Sequence, residues 1–422
     1  MREGELQKAM DKRVVVTGIG VITPLANDTK TLWHQLIEGK SGVDHIKQCD
    51  PSPFPSKVAG EIKDFDPVKY MGPKEHKRMA RFSQLAVAAA GIALEEASIN
   101  VGNINPGRIG VVMGNGNGGF PTIEANAKDM FFRGHMKVSP FFIPMILPNM
   151  AAANISRLFG IKGYTSTITT ACAAGTQAIG EAAEVIKRGD ADVVLAGGCE
   201  SGISELGLSG FNVIKALTRW EGPPDQASKP FDAKRDGFVP AEGAAVLLLE
   251  DENHALDRGA EPLANILGQG VSSDGFHLVQ PDHHGNGASM AIEKALSNAR
   301  LMPEEIDYIN AHGTSTPMND LAETRAIKKA FGKYAYSVPI SSTKSMLGHC
   351  LGGAGAIEGA VSILSILNNE AHPTINYKDP DPECDLDYIV DGPRKKTINT
   401  VLSNSFGFGG QNACVVFQKH GL

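Results

Sequence analysis

Short apolar runs and longer segments of helical spacing alternate along this chain. Tyr164 to Thr170 alternates apolar and polar positions and predicts a strand. It ends in small residues, and the Ala- and Gly-rich stretch that follows, Ala173 to Arg188, has the length of an ordinary helix. Parts of the pattern recur. Gly175 to Ile186 is echoed by Gly353 to Leu364, and each follows a hydroxyl-rich strand and a loop. Ile109 to Gly114 is echoed by Ile306 to Ala311, each preceded by an amphipathic helix and a short Asn/Pro turn. Gly243 to Leu249 is echoed by Asn412 to Phe417, a closing strand in each case. Alternating strands and helices predict mostly parallel sheets covered by helices. Duplicated halves predict a site where helix N-termini from both halves meet. The charged stretch His254 to Glu261 marks the boundary, giving halves of 12–258 and 259–422. Phe120 to Met150, rich in Phe, Met and Pro, lengthens the first half.

Composition narrows the class. A chain of 422 residues, 42% hydrophobic and 21% charged, is that of an ordinary globular protein. A net charge of −7 disfavours nucleic acid as a partner. The six cysteines are scattered without CxxC spacing, which argues against zinc and against a disulfide framework, and makes the cytoplasm the expected compartment. No uninterrupted apolar run approaches the ~20 residues that span a bilayer. Met1 to Met10 is polar and lacks the apolar region of a secretory signal, so a short disordered extension is expected there.

The chemistry concentrates around Cys172, in Thr169-Thr170-Ala171-Cys172-Ala173-Ala174-Gly175. A cysteine between a strand and a helix sits at a helix N-terminus, where free N–H groups and the dipole favour a thiolate. The same groups can receive the oxyanion of a carbonyl under attack. A buried structural cysteine is the alternative. Two loops tip the balance: Asn310-Ala311-His312-Gly313-Thr314 and Lys344-Ser345-Met346-Leu347-Gly348-His349 each present a histidine among glycines and hydroxyls. One cysteine and two loop histidines predict acyl transfer.

These motifs, with the opening Val14 to Gly20, Lys229 to Phe238 and Asn404 to Gly410, resemble the 3-ketoacyl-(acyl carrier protein) synthases. The likeness is strongest to the type II elongating enzyme of fatty acid synthesis and runs from Arg13 to Phe417. It implies an α/β, thiolase-like fold, with duplicated halves forming five layers, α-β-α-β-α, around two mostly parallel mixed sheets. It implies a decarboxylative Claisen condensation of malonyl-carrier with an acyl group on Cys172, without redox cofactor or catalytic metal. In that reading His312 and His349 bind the malonyl thioester carbonyl, Lys344 orients them with Glu358 as its counterion, and the Phe408 N–H completes the oxyanion hole. Phe406 and Phe408 belong to the terminal Gly-rich loop, Phe408 closing the pocket. Thr314 and Thr316 bind the phosphopantetheine arm, and Asn117 lines the acyl pocket. The resemblance also implies a homodimer, formed in part by the Phe120 to Met150 insertion. Lys74, Lys77, Arg78, Lys137 and Lys215 are expected to meet the acidic acyl carrier protein. Asn117, Gln411 and Ala241 depart from the usual pattern and open a specialised polyketide-type reading. A thiolase is disfavoured because no cysteine lies between Asn404 and Gln411; a non-catalytic chain-length subunit is disfavoured because Cys172, His312, Lys344 and His349 are all present.

Other signals carry less. Gly114 to Gly119 fits a dinucleotide loop poorly, with Pro121 expected to interrupt the helix start. Asp282-His283-His284 lacks a third metal ligand and reads as an exposed loop near the entrance. Lys74, Lys77, Arg78 and Arg81 fall at i, i+3, i+4 and i+7, which predicts one basic helical face. Cys199, Cys350 and Cys414 read as small core residues; His34, His45, His76, His135 and His372 read as structural or surface.

Overall fold

A computed structural model describes residues 12–422; the polar stretch Met1 to Met10 lies outside the described residues. The strands of its large sheet are β1 (Val14–Ile22), β2 (Ile109–Gly114), β3 (Thr165–Ile168), β4 (Val193–Glu200), β5 (Gly243–Asp251), β6 (Ala264–Ser273), β7 (Tyr308–Asn310), β8 (Ile340–Ser341), β9 (Thr400–Gly407) and β10 (Gln411–Lys419). Their spatial order is β8-β7-β9-β10-β6-β1-β5-β4-β2-β3. Each half therefore repeats the order of the other. In each half two neighbouring pairs are parallel and two antiparallel, the latter flanking one strand, β5 or β10, so four of the five strands run the same way and the sheets are mixed and mostly parallel. The halves are also joined: Val15 and Val16 of β1 pair with Asn265 and Ala264 of β6.

The repeat holds residue by residue. Glu200 lies opposite Gly243 in the first half as Gly407 lies opposite Gln411 in the second. Both first strands carry a bulge at the same place, Thr17 in β1 and Leu267 in β6. This register corrects the sequence alignment of Ile109 with Ile306 by one residue, since Gly110 and Tyr308 hold equivalent ladder positions.

Helices complete five layers. Helix α1 (Arg81–Glu96) covers the outer face of the first sheet, where Val111, Val193, Leu195, Val246 and Leu248 point. The middle layer holds α2 (Ala174–Lys187) and α3 (Ala354–Asn368), packed between Val194 and Leu247 of one sheet and Val401 and Val415 of the other. The outer face of the second sheet meets α4 (Asn286–Ala299), itself packed on α5 (Pro317–Phe331). With both faces covered, strands such as β5 are apolar from Gly243 to Leu249 and buried at every position, which is why they do not alternate.

The middle helices explain part of the small-residue pattern. A Cβ on Gly175 would stand 2.8 Å from the Ala356 nitrogen, and one on Gly355 would stand 2.7 Å from the Thr176 nitrogen. The two helices thus cross with Gly175 and Gly355 as equivalents, not Gly175 and Gly353. The stretch Leu351–Asn368 has a mean hydropathy of 1.4 over 18 residues, long and apolar enough by composition to cross a membrane, although Glu358 interrupts its apolar run as expected. It is 89% buried between the sheets, as a core helix is.

Local boundaries differ elsewhere. The strand expected over Tyr164 to Thr170 is confined to β3, and the helix after it starts at Ala174 behind a single 3-10 turn, Ala171–Ala173. Pro121 does not interrupt a helix; it occupies the first turn of Phe120–Arg133, where its missing N–H costs no bond. The basic residues do not share one helical face. His76–Arg78 forms a short 3-10 turn, Met79 and Ala80 are extended, and α1 begins at Arg81. Arg81 turns inward to buried Glu242, Nε to Oε2 at 2.7 Å.

Candidate active site

Cys172 lies in the turn that joins the β3 edge to α2, with Ala171 in the left-handed region at φ 50°. The close fit of this turn to the end of β9 requires glycine at 407: a Cβ there would meet the Thr170 carbonyl oxygen at 2.7 Å and the Cys172 nitrogen at 3.1 Å. The terminal loop thereby brings the Phe408 N–H to the thiol, beside the N–H of Cys172 itself.

The expected thiolate-favouring environment is not what the fold builds. Cys172 is buried, and loss of solvent pushes its thiol up to about 11. The Lys344 charge and the two N–H groups pull the other way without offsetting burial. Burial raises a thiol's pKa while a helix N-terminus lowers it, and here burial outweighs the rest.

His312 and His349 meet edge to face, ring centroids 5.3 Å apart. His312 follows β7, and its loop is held by a residue that the sequence reading passed over. Buried Glu323, on α5, accepts the N–H groups of His312 at 2.8 Å and Gly313 at 2.7 Å. A signal existed: Asp320, Glu323, Thr324 and Ile327 share a helical face that packs inward, an unusual place for two acids. His349 is fixed by its backbone, which pairs with Val239 and Ala241, and by the edge of Phe238, 5.2 Å away between ring centroids. Ala241 fits because its methyl group packs beside two glycines, Gly60 and Gly348.

Proton positions follow from the donors. The Leu351 N–H donates to His349 Nδ1 at 3.3 Å, and Lys344 Nζ lies 3.3 Å from His312 Nδ1. Both Nδ1 atoms act as acceptors, so each ring carries its proton on Nε2. Burial, and next the Lys344 charge, hold both imidazoles well below their usual range, hence neutral near pH 7. Lys344 is itself buried and paired with Glu358, as the sequence suggested. Burial pushes the Glu358 carboxyl up to about 7, against the pull of Lys344.

Cys172, His312, His349, Phe406, Phe408 and Thr316 line one cleft of about 420 Å³. Thr314 lines it too, its hydroxyl 2.9 Å from that of Thr316. Lys215 is exposed at the mouth. Lys344 and Glu358 stand behind His312 and do not line the cleft. Asn117 lies outside it as well, in the loop after β2, whose Gly116 approaches Ala171. That loop is glycine-rich because side chains would collide with Glu200 at position 116 and with the Ile146 carbonyl at 118, not because it cradles phosphate. Lys74, Lys77, Arg78 and Lys137 are exposed. His283 and His284 are exposed, and Asp282 accepts the N–H groups of His284 and Asn286, a turn-capping role. Cys199, Cys350, Cys414 and His372 are buried; His34, His45 and His135 are exposed and His76 is partly so.

The comparisons with known proteins agree with this arrangement. The model of the beta-ketoacyl synthase N-terminal domain matches residues 11–255, and that of the C-terminal domain matches 263–378. The chain is 45% identical over 408 residues to 3-oxoacyl-(acyl-carrier-protein) synthase 2 of Coxiella burnetii, covering 97% of this chain and 99% of that one. Among solved structures, the ishigamide ketosynthase/chain length factor is similar with a TM-score of 0.91 at 31% identity, covering 97% of this chain and 100% of that one. A type II polyketide acyl-carrier protein in complex with its ketosynthase, bound to the hexaketide, gives a TM-score of 0.88 at 33% identity, covering 97% and 99%. A cysteine and two neutral histidines on duplicated half-folds, matched along nearly the whole length by these relatives, place this chain in the beta-ketoacyl synthase family.

Proposed function

We propose that this protein condenses malonyl-(acyl carrier protein) with an acyl group held on Cys172, releasing carbon dioxide, free carrier protein and a 3-ketoacyl-carrier for fatty acid elongation. The observation that carries the reading is the meeting of Cys172, the Phe408 N–H and two Nε2-protonated imidazoles in one cleft. The curated relative's name agrees with it.

In the first half-reaction the Cys172 sulfur attacks the acyl thioester carbonyl. The carrier sulfur leaves with the thiol proton, and the N–H groups of Cys172 and Phe408 hold the oxyanion. In the second, the carbon–carbon bond to the malonyl carboxylate breaks. Nε2–H of His312 and of His349 bind the thioester oxygen as it becomes an enolate. The enolate carbon then attacks the Cys172 thioester, the carbon–sulfur bond breaks, and the departing thiolate takes a proton from water to return the thiol. Neutral rings suit this role because, with Nδ1 held as an acceptor, the single proton sits on Nε2 and is donated from there. Lys344 holds Nδ1 of His312 as an acceptor, with Glu358 balancing its charge. Thr314 and Thr316 are assigned to the phosphopantetheine arm, and Phe406 and Phe408 to the wall and gate of the cleft.

The acidic carrier protein is assigned to the exposed Lys74, Lys77, Arg78, Lys137 and Lys215. A homodimer is supported by the exposed Phe131, Phe132 and Met136 of the insertion. The free cysteines suit a reducing cytoplasm. A second reading, a specialised pathway with a polar or unsaturated acyl chain, is favoured by one observation. The Asn117 amide nitrogen is buried without a hydrogen-bond partner, where an apolar residue is usual. Product mass analysis with malonyl-carrier and a ladder of acyl-carriers tests both. Elongation of saturated chains supports the main reading. Exclusive use of oxygenated or polyene chains supports the second, and no condensation at all overturns both.

A further inference from the structure

The common register of the two halves allows the site to be compared with its own twin. Glu200 ends β4 where Gly407 ends β9. The Ala171-Cys172 turn before α2 corresponds to the Leu351-Gly352 turn before α3; Leu351, like Ala171, is left-handed, at φ 43°. Gly407 has no side chain, so no carboxylate at that position reaches the N–H groups of Cys172 and Phe408. At the twin position the equivalent N–H groups belong to Gly352 and Ser201, and both are taken by the Glu200 carboxylate. Glu200 Oε2 accepts from Gly352 at 3.2 Å and from Gly116 at 3.0 Å, and Asn117 adds a further N–H at 3.3 Å. Glu200 is fully buried, and its hydrogen-bond partners among the described residues are backbone N–H groups alone. Burial pushes the carboxyl up to about 7 while those donors pull it down. A carboxylate so far from water persists only where its oxygens are well bonded.

We propose that Glu200 is a positioning residue whose carboxylate fills the twin of the oxyanion hole and so holds the Leu351 turn that fixes the proton on His349. The connection is one peptide long. The Leu351 N–H donates to His349 Nδ1, and the next N–H, of Gly352, is bonded by Glu200. A left-handed leucine is strained unless its neighbours hold it. Without the carboxylate the Gly352 N–H is orphaned and the turn relaxes. His349 is then free to carry its proton on Nδ1, and Nε2 no longer donates to the malonyl thioester. Acyl loading is served by the N–H groups of Cys172 and Phe408, which Glu200 does not bond, although its charge is a minor contributor to the raised Cys172 thiol. The inference rests on the proposed role of His349 in the malonyl step.

The test separates the half-reactions in Glu200→Ala and Glu200→Gln, following acyl-Cys172 by intact mass and malonyl-carrier decarboxylation by carbon dioxide release. Decarboxylation by Glu200→Ala should fall roughly tenfold or more, short of the about 100–1,000-fold that deleting one oxyanion donor costs. Loading should stay within about twofold of wild type on the same argument. Formate, a carboxylate small enough for the vacated space, should restore part of the lost rate in the variant and leave wild type unchanged. Unaltered decarboxylation overturns the proposal, as does a parallel loss of both steps without a formate response. If Glu200→Ala does not fold by circular dichroism, Glu200→Gln decides: a loss confined to decarboxylation supports the role, and a parallel loss or none overturns it. A wild-type enzyme that loads but never decarboxylates malonyl-carrier overturns the role given to His349 itself, and is distinguished by that arm.

Discussion

Cys172 works from a place that resists ionisation. Its sulfur is out of water, and the Lys344 charge and two backbone N–H groups do not compensate. Selectivity for this thiol therefore rests on access through the cleft and on oxyanion stabilisation, not on a ready-made thiolate. Alkylation by iodoacetamide should accelerate about tenfold per pH unit from pH 7 to pH 9, since the thiolate fraction grows that way below a pKa. A rate that levels off near neutral pH would show a depressed thiol and overturn this account. Half-buried Cys49, pushed up to about 11 by its own burial, should react slowly alongside it, whereas pre-loading with acyl-carrier should protect Cys172 alone.

The crossing of α2 and α3 is the element on which both halves of the site depend. Cys172 precedes one helix and the Leu351 turn precedes the other, and the two approach at Gly175 and Gly355. A methyl group on Gly355 would stand 2.0 Å from the Thr176 hydroxyl and 2.9 Å from that of Ser405. Thr176 and Ser405 also bond each other at 2.7 Å, so neither is free to move away. Gly355→Ala should therefore destabilise the fold by about 1–3 kcal/mol, the usual range for overpacking. Condensation should fall with it, because separating the helices shifts Cys172 against His349. Thermal unfolding with acyl loading measured on the same sample checks both; unchanged melting would show that the helices do not approach so closely in solution.

On the scale of the whole molecule, charge is distributed against the average. The chain carries a net −7, yet Lys74, Lys77 and Arg78 cluster exposed on one surface. A locally basic surface on an acidic protein steers an acidic partner, and salt screens the attraction. Reversing the charge of all three should raise the apparent KM for carrier-bound substrate, more at low ionic strength than at high, with kcat little changed. A pantetheine thioester without carrier should be turned over as before. Equal loss on both substrates would place the effect in the cleft instead.

Much of this protein can be read along its chain. The duplicated halves, the strand before Cys172, the Ala- and Gly-rich helices and the two histidine loops depend on local periodicity and on motifs a few residues long. The pairing of Lys344 with Glu358 was legible too, since a lysine in an apolar setting demands a counterion. Other features depend on what arrives from far away in sequence. The Cys172 thiol is raised rather than lowered because the β9 end and the cleft walls exclude water, and no local motif carries the amount of solvent around a side chain. Arg81 leaves the expected basic face because Glu242, 161 positions later, lies buried beneath it. The register of the repeat, misjudged by one or two residues from sequence, is settled by ladder pairing and by the glycine contact between the middle helices. Glu200 and Glu323 are buried acids held largely by backbone N–H groups, Glu323 also by the Asn404 amide, and a backbone donor leaves no mark in an amino-acid sequence. Periodicity and short motifs are properties of neighbouring residues, so the sequence alone determined the elements and the reacting groups. Desolvation, register and backbone hydrogen bonding arise only when distant segments pack, so the tertiary structure alone decided how those groups are ionised and held.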